Sequence, residues 1–193
     1  MFYLRKYDDS IKKDEDMKLK KYPLPEKFQF RKNQPSGRFL EDRGDRVHCG
    51  IDLYAPEKTP VFAVDDGIIR SIDIFSSPQQ IPYWNTTYEI ILEAKSSYFF
   101  RFAELCEVLV EKDQKVSAGD RIGLVGQVLN SSKITNEHPV YIQDLSKRNR
   151  LSMLHFEIYD SYPEKSENYL GGNWFAKETP IGLCNPNDFL FEE

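Results

Sequence analysis

The sequence predicts a mostly β, antiparallel fold for this chain of 193 residues. Three observations support that class: short runs rich in β-branched and aromatic residues, Gly, Pro and Asp at the breaks between them, and alternation in the clearest run. Hydrophobic residues make up 40% and charged residues 30%, as in a globular rather than a disordered protein. No apolar run approaches the ~18 residues of a membrane span. We therefore expect an antiparallel sandwich or barrel.

The first 35 residues are expected to form a charged arm that precedes the domain. Mixed charges between Asp8 and Lys21 favour a solvated helix or a loose segment, which Pro23 and Pro25 end. This segment lacks the apolar core of about 7–15 residues that a secretory signal needs. If Met1 is the start, the sequence predicts a cytoplasmic protein.

The domain itself is expected to span residues 36–193, and its strands follow in order. The expected strand regions are 59–74, 88–94, 97–105, a short 108–110, 115–126 and 151–159. Within the first region, Asp66-Gly67 separates two apolar runs, which predicts a hairpin at that step. The polar stretch from about 127 to 150 has no clear period and is expected to be an insertion with one short helix.

Composition also restricts the possible function. The chain carries 26 Lys+Arg against 31 Asp+Glu, a net charge of −5, which argues against a nucleic-acid-binding surface. Its three cysteines cannot all pair, and free thiols fit a reducing compartment. A histidine-based metal site must draw on three residues, His48, His138 and His155.

Two short motifs carry candidate metal ligands. His48 and Asp52 are four residues apart, and a bend at Gly50, which glycine permits without steric cost, would bring them together. His155 lies on the last expected strand. Two histidines and a carboxylate are a known ligand set of catalytic zinc, which leaves its fourth position to water. Neither spacing is specific alone.

Together, several blocks of the chain resemble the LytM/lysostaphin-type zinc peptidases, peptidase family M23. The blocks are R-V-H-C-G-I-D-L (46–53), T-P-V-F-A-V with D-G (59–67), V-S-A-G-D-R-I-G-L-V-G (116–126), L-H-F-E-I (154–158) and N-P-N-D-F-L (185–190). They occur in the family's order and cover roughly residues 36–190.

The resemblance implies a LytM-type domain, an antiparallel β-sandwich or barrel-sandwich hybrid with a groove across the sheet. It implies Zn²⁺ bound by His48, Asp52 and His155, and hydrolysis of peptide bonds in peptidoglycan. It also implies a cell-envelope location, which conflicts with the cytoplasmic expectation.

The chain departs from the family pattern at two catalytic positions. Met153 stands where the family has the first histidine of H-x-H, and Glu104 falls at the position of another catalytic histidine. Methionine has no N–H to stabilise an oxyanion, whereas a carboxylate can take a proton from the attacking water. The pair resembles a variant subgroup of the family with R-Y-G-E and M-L-H-F-E segments.

Four other residues have open interpretations. His138, in the insertion, either replaces the lost donor or is an ordinary loop histidine. Glu157 either hydrogen-bonds a ligand or is structural, and Arg46 either orients substrate, pairs with Asp52 or forms a surface ion pair. Cys49 is expected to point away from the metal ligands.

Two main functions remain possible at this stage. The first is a zinc metallopeptidase in which Glu104 is the base. The alternative is a degenerate, non-catalytic zinc-binding protein that binds a peptide or protein partner or regulates a hydrolase. A metal-free binding module ranks last, because no attachment lysine stands out in a suitable turn.

Overall fold

A computed structural model describes residues 18–28, 36–138, 140–147 and 151–190. The strands in these ranges are β1 (Val47–His48), β2 (Ile51–Tyr54), β3 (Pro60–Phe62), β4 (Gly67–Ser76), β5 (Thr87–Ala94), β6 (Phe99–Val108), β7 (Lys115–Val116), β8 (Arg121–Gln127), β9 (Ser152–Tyr159), β10 (Tyr169–Leu170), β11 (Asn173–Trp174) and β12 (Leu183–Cys184). The helices are α1 (Val140–Lys147) and α2 (Asn187–Leu190). The predicted mostly β fold is confirmed.

Nine strands form one curled antiparallel sheet. Its order is β12-β9-β8-β6-β5-β4-β7, with β2 paired to β9 and β3 paired to β8. The first half of β6 pairs with β9, and its second half pairs with β8. Since β8 also pairs with β9, these three strands are joined to one another, and the sheet curves at this point.

The inner face of the curled sheet forms the main hydrophobic core. Phe100, Phe102 and Phe156 are fully buried there, and the rings of Phe102 and Phe156 lie 5.3 Å apart. Each buried phenylalanine contributes roughly 1.5–3 kcal/mol relative to an exposed one. The core therefore fixes β6 and β9, which carry the candidate site residues Glu104, Met153, His155 and Glu157.

A small sheet of order β1-β11-β10 lies beside the large one. Val47 and His48 of β1 pair with Trp174 and Asn173 of β11. The chain passes from β1 to β2, and so between sheets, through Cys49 and a bend at Gly50. His48 and Asp52 thus belong to different sheets that meet at this bend.

The expected hairpin at Asp66-Gly67 is wrong. Strand β3 pairs with β8, whereas β4 pairs with β5 and β7. The Asp66 carboxylate accepts a hydrogen bond from the backbone N–H of Ala118, 3.0 Å away, so the step contacts the turn after β7. Long-range pairing therefore overrides the local turn signal.

The other expected strands lie close to the observed β4, β5, β6, β8 and β9. The short 108–110 strand is not a separate element, because β6 continues to Val108. The insertion contains a 3₁₀ turn, Ser131–Lys133, and helix α1. Ile142 of α1 packs with Trp84 and Leu129 in a second, smaller apolar cluster.

Part of the expected N-terminal arm packs on the domain. Leu24 is 1% exposed within the main core, and the Phe62 N–H donates to the Pro23 carbonyl at 2.9 Å. Residues 18–28 therefore lie against the sheet, while 1–17 and 29–35 fall outside the described ranges. Within the described part of the chain, we find no helix with the length and hydropathy needed to cross a bilayer.

Candidate metal centre

Three side chains from different strands meet in a buried cluster. His48 Nε2 lies 3.1 Å from Asp52 Oδ1, and His155 Nδ1 lies 3.0 Å from the same oxygen. The two ring nitrogens are 3.0 Å apart. All three residues are at most 5% exposed. We searched the described His, Cys, Asp and Glu side chains for donor atoms close enough together to hold a metal ion. These three residues are the group that meets this condition.

Strand register brings these residues together. Asp52 of β2 is directly opposite His155 of β9, and the bend after β1 places His48 beside them. A Cβ atom on Gly50 would lie 2.4 Å from the Phe156 carbonyl oxygen and 3.0 Å from the His155 ring. The expected bend at Gly50 is present. Glycine is required at this position because neighbouring atoms leave no room for a side chain.

The second nitrogen of each histidine has its own partner. His48 Nδ1 donates to the Arg38 carbonyl at 2.8 Å, and His155 Nε2 donates to Glu157 Oε1 at 2.7 Å. A carbonyl and a carboxylate accept hydrogen bonds, so these partners assign the protons to the outer nitrogens. The other nitrogens, His48 Nε2 and His155 Nδ1, face Asp52 Oδ1 and are the atoms that a metal ion would bind.

This donor set fits zinc. Zinc takes imidazole and carboxylate ligands at about 2.0–2.2 Å, which places ligand atoms of a tetrahedral site about 3.3–3.6 Å apart. The observed separations of 3.0–3.1 Å are a few tenths of an ångström shorter. A small outward movement of the three side chains would admit the ion.

Glu157 connects the cluster to a buried ion pair. Its Oε2 accepts from Arg101 Nη1 at 2.6 Å and from the Tyr159 hydroxyl at 2.7 Å. The Tyr169 hydroxyl donates to Oε1 at 2.8 Å. Burial opposes ionisation, but Arg101 and His155 hold the pKa of Glu157 well below its usual range. The carboxylate is therefore ionised and stays aligned on His155.

The surroundings of the two histidines shift their pKa values in opposite directions. Burial lowers the pKa of His48. Burial also acts to lower the pKa of His155, but hydrogen bonds to Asp52 and Glu157 outweigh it and raise that pKa to about 9. In the metal-free protein, His155 is thus the ring that carries the extra proton.

A cavity of about 570 Å³ opens beside Asp52. Its lining includes Arg43, Glu104, Asp52 and Met153. Much of its apolar lining comes from the second hydrophobic cluster. The apolar lining residues are Ile81, Tyr83, Trp84, Val128, Leu129, Ile142, Leu145 and Leu170. The space is large enough for part of a peptide.

Glu104 lies where β6 changes partners. Ala103 pairs with His155 of β9, and Leu105 pairs with Val125 of β8. Glu104 between them has φ +65°, a left-handed conformation that is rare for a residue with a Cβ. Such strained residues often cluster at functional sites.

The Glu104 side chain is buried and lacks a complete set of partners. It is 8% exposed, and its Oε2 has no hydrogen-bond partner among the described residues. Burial, and then the charge of Asp52, raise the pKa of the Glu104 carboxyl to about 8. A carboxyl in this state can exchange a proton near neutral pH.

Met153 lies two residues before His155 on β9 and lines the same cavity. It is 6% exposed and pairs with Tyr54 and Gly126 across the sheet. Glu104 and Met153 therefore both line the cavity that opens beside Asp52.

Two other candidate residues, Arg46 and His138, lie outside the group of His48, Asp52 and His155. Arg46 forms an ion pair with Asp45 at 2.9 Å and stacks on Phe175 at 5.4 Å, while Arg43 pairs with Asp52. His138 Nδ1 accepts from the Thr135 N–H at 2.9 Å. His138 also packs edge-on against Tyr83, a residue of the cavity wall.

Cys49 is fully buried beside His48, and burial raises the pKa of its thiol. It is not part of the converging cluster found among the described residues. A buried thiol of raised pKa is a poor metal ligand.

Sequence reasoning missed Arg43 and Arg101. Arg43 is three residues before the R-V-H motif, and Arg101 is on β6 next to Phe100 and Phe102. Two signals pointed to Arg101: it begins the R-F-A-E segment that resembles R-Y-G-E, and it is a charged residue inside an apolar strand, which requires a partner if it is buried. Nothing local identifies the partner of Arg43.

Comparison with known proteins identifies a family, two relatives and a similar solved structure. A family model for peptidase family M23 matches residues 46–167. The peptidoglycan DD-endopeptidase ShyA of Vibrio cholerae is 30% identical over 141 residues, which are 72% of this chain and 29% of that protein. An uncharacterized metalloprotease of Buchnera aphidicola is 30% identical over 130 residues, 67% of this chain and 30% of that protein.

The chain therefore spans less than a third of the length of these two relatives. Among solved structures, the antimicrobial peptidase lysostaphin from Staphylococcus simulans matches with a TM-score of 0.51 and 20% identity. The match covers 84% of this chain and 50% of lysostaphin. At that identity the likeness concerns the fold.

Proposed function

Because this chain belongs to peptidase family M23, we propose that it is a zinc-dependent metalloendopeptidase that hydrolyses peptide bonds in peptidoglycan. One observation carries the proposal: His48, Asp52 and His155 converge within 3.1 Å, and each presents one donor atom to a common point. Two histidines and a carboxylate are the protein ligands of many catalytic zinc sites.

His48 Nε2, Asp52 Oδ1 and His155 Nδ1 would hold the ion. Zinc bound there would polarise the substrate carbonyl and lower the pKa of a water molecule to about 7. The hydrogen bonds from His48 to the Arg38 carbonyl and from His155 to Glu157 keep both rings in the orientation that this binding needs.

Glu104 is the proposed general base. It accepts a proton from the attacking water at Oε2, the atom without a partner among the described residues, and returns it to the leaving amine. A positioned general base contributes about 10²–10⁴-fold to rate. A divalent cation nearby would lower the pKa of Glu104 from about 8, which favours the ionised, proton-accepting form.

The proposed substrate rests on likeness to a relative. ShyA is named a peptidoglycan DD-endopeptidase, and the cavity beside Asp52 has space for a peptide segment. This substrate class implies that the protein acts at the cell envelope.

The proposal is tested with purified protein in two steps. We expect about one zinc per chain in the wild type, and release of soluble peptides from purified peptidoglycan. His155→Ala should lose both zinc and cleavage, because two ligands are too few. Glu104→Ala should keep zinc and lose most cleavage.

Glu164→Ala is the matched control, since Glu164 is exposed and away from the cluster. It should retain zinc and turnover. Zinc-loaded wild type that leaves peptidoglycan and glycine-rich peptides uncut, with the same baseline as His155→Ala, would contradict the enzyme assignment.

A second function is favoured by Met153. This side chain lies on the cavity where the family pattern has a histidine, and it offers no N–H to a developing oxyanion. The alternative is a non-catalytic zinc-binding protein that holds a peptide or protein partner in the same cavity, or regulates a hydrolase. Turnover that Glu104→Ala abolishes would exclude it, whereas zinc-dependent peptide binding without turnover would support it.

A further inference from the structure

The two carboxylate oxygens of Asp52 have different surroundings. Oδ1 faces both histidines, at 3.1 and 3.0 Å. Oδ2 points the other way and accepts a hydrogen bond from Arg43 Nη2 at 3.3 Å. We propose that Arg43 is a positioning residue that holds Asp52 Oδ2 away from the metal, so that Asp52 binds through one oxygen and one coordination position stays open. This inference rests on the zinc site of the proposed function.

Arg43 is itself fixed from two sides. Its Nη1 donates to Asn173 Oδ1 at 2.9 Å, and its Nη2 and Nε donate to Glu41 Oε2 at 3.3 and 3.4 Å. Its side chain is 24% exposed. The planar guanidinium, with donors in a rigid fork, can satisfy three acceptors at once, which a lysine cannot do with the same geometry.

The same chain segment also holds the backbone of Asp52. The Asp52 N–H donates to the Gly37 carbonyl at 2.9 Å, and the Gly37 N–H donates to Glu41 Oε2 at 3.0 Å. A Cβ atom on Gly37 would lie 2.5 Å from Asp52 Cβ. Residues 37–43 therefore fix both the main chain and the side chain of Asp52.

The hydrogen bond from Arg43 to Asp52 Oδ2 determines how Asp52 can bind a metal ion. A carboxylate with two free oxygens can bind a cation through one or both of them. A catalytic zinc site needs three protein ligands and an open fourth position. Since Arg43 occupies Oδ2, Asp52 contributes one ligand atom, and the side of the cluster that faces Glu104 and Met153 remains available to solvent or substrate.

Among the described residues, Arg46, the arginine within the R-V-H motif, makes different contacts. Its guanidinium pairs with Asp45 and lies over Phe175. Because Arg43 contacts Asp52 and Arg46 contacts Asp45 and Phe175, Arg43 is the residue that the experiment replaces.

The experiment uses cobalt in place of zinc, because the visible spectrum of Co²⁺ reports coordination number and exchangeable ligands. The full chain is loaded with Co²⁺ as wild type, Arg43→Gln and Arg43→Lys, and each is titrated with azide. Arg70→Gln is the matched control. Arg70 of β4 pairs with Glu93 of β5, and this pair is separate from His48, Asp52 and His155. Thermal unfolding of each metal-free variant verifies folding.

We expect wild type and Arg70→Gln to bind one Co²⁺ and to show a saturable spectral change with azide. Arg43→Gln should bind Co²⁺ about 10–100-fold more weakly, as is usual when a ligand loses its supporting hydrogen bond. Its spectrum should shift, and its response to azide should be largely lost. Arg43→Lys should be intermediate because it restores charge without the fork.

An Arg43→Gln protein that folds and matches the wild-type spectrum, affinity and azide response would overturn the inference while leaving the zinc site intact. If Arg43→Gln does not fold, a wild-type response in Arg43→Lys would overturn it equally. Failure of the wild type to bind Co²⁺ would instead overturn the metal site itself, and this inference with it.

Discussion

Among single residues, Glu104 and Met153 decide between a peptidase and a binding protein. Both line the cavity beside Asp52. Glu104 has a left-handed backbone conformation and a buried carboxylate oxygen without a hydrogen-bond partner among the described residues, whereas Met153 is a buried apolar side chain. For the proposed hydrolysis, Glu104 would supply a proton acceptor, and Met153 offers no N–H donor.

Restoring that donor gives the first prediction. Met153→His should raise kcat on a peptidoglycan peptide by up to about 10²-fold, because one preorganised donor to an oxyanion is worth about 10²–10³. Steady-state rates of zinc-loaded protein measure this, with Met153→Leu as the control for side-chain volume. A Met153→His variant no faster than Met153→Leu would mean that the missing donor does not limit the reaction.

Burial of Glu104 predicts a pH-dependent stability in the metal-free protein. Its pKa is about 8 in the folded chain and about 4.3 in an unfolded one, so the folded state holds the proton to higher pH. The stability from this group is fully present below pH ~4 and is lost as pH rises toward 8.

Glu104→Gln does not titrate, so it should gain stability relative to wild type as pH rises from about 5 to 8.5. Urea denaturation of both proteins with a chelator present, at several pH values in this interval, gives the difference. Taking the difference between proteins cancels the titration of groups common to both. A difference that stays constant over this interval would show that Glu104 is solvated or paired.

At the scale of secondary-structure elements, the site depends on close contacts between the backbone of one segment and a metal-ligand side chain on another strand. The segment between β10 and β11 passes directly over His155, and the Cys49 N–H donates to the Gly172 carbonyl at 2.9 Å. Gly172 has φ +75°, and a Cβ there would lie 2.5 Å from His155 Cε1. The small sheet can therefore cover the cluster only with glycine at this position.

Gly172→Ala should weaken zinc binding, whereas Gly119→Ala should not. Both glycines have positive φ, but nothing lies within 4 Å of a Cβ on Gly119. Each substitution should lose about 1–2 kcal/mol of stability from the backbone conformation. Only Gly172→Ala should also lose zinc affinity, measured by chelator competition. Equal zinc affinity in both variants would show that the segment can move aside.

The strands also show why some sequence predictions were confirmed and one was wrong. The run 152–159 alternates and is strand β9, because side chains on a strand alternate between its faces. The Asp66-Gly67 step has the residues of a tight turn, yet β3 and β4 do not pair. Local turn chemistry identifies where a strand ends but does not identify its partner.

In the molecule as a whole, the N-terminal segment belongs to the domain that positions the site. Leu24 is buried among the core residues, and the carbonyl of Pro23 accepts a hydrogen bond from Phe62 of β3. The Leu19 N–H donates to the carbonyl of Phe189 in α2 at 3.3 Å. The segment thus links β3 to α2 across the core.

Leu24→Ala should therefore destabilise the whole domain by about 2–5 kcal/mol, the usual cost of removing a buried leucine side chain. Chemical denaturation measures the loss. Leu109→Ala is the control, because Leu109 is 41% exposed and should change stability little. If both variants lose the same small amount, the packing of residues 18–28 contributes little to folding.

Local patterns in the sequence predicted the fold class, and the resemblance to peptidase family M23 identified the three ligand candidates. Alternation and turn residues mark strands, and the R-V-H-C-G-I-D and L-H-F-E motifs mark His48, Asp52 and His155. The folded chain was needed to show that Arg43 forms an ion pair with Asp52, and that a buried oxygen of Glu104 has no hydrogen-bond partner among the described residues. These contacts join residues from separate strands and loops, and their geometry depends on how the sheet curls, which no local pattern encodes.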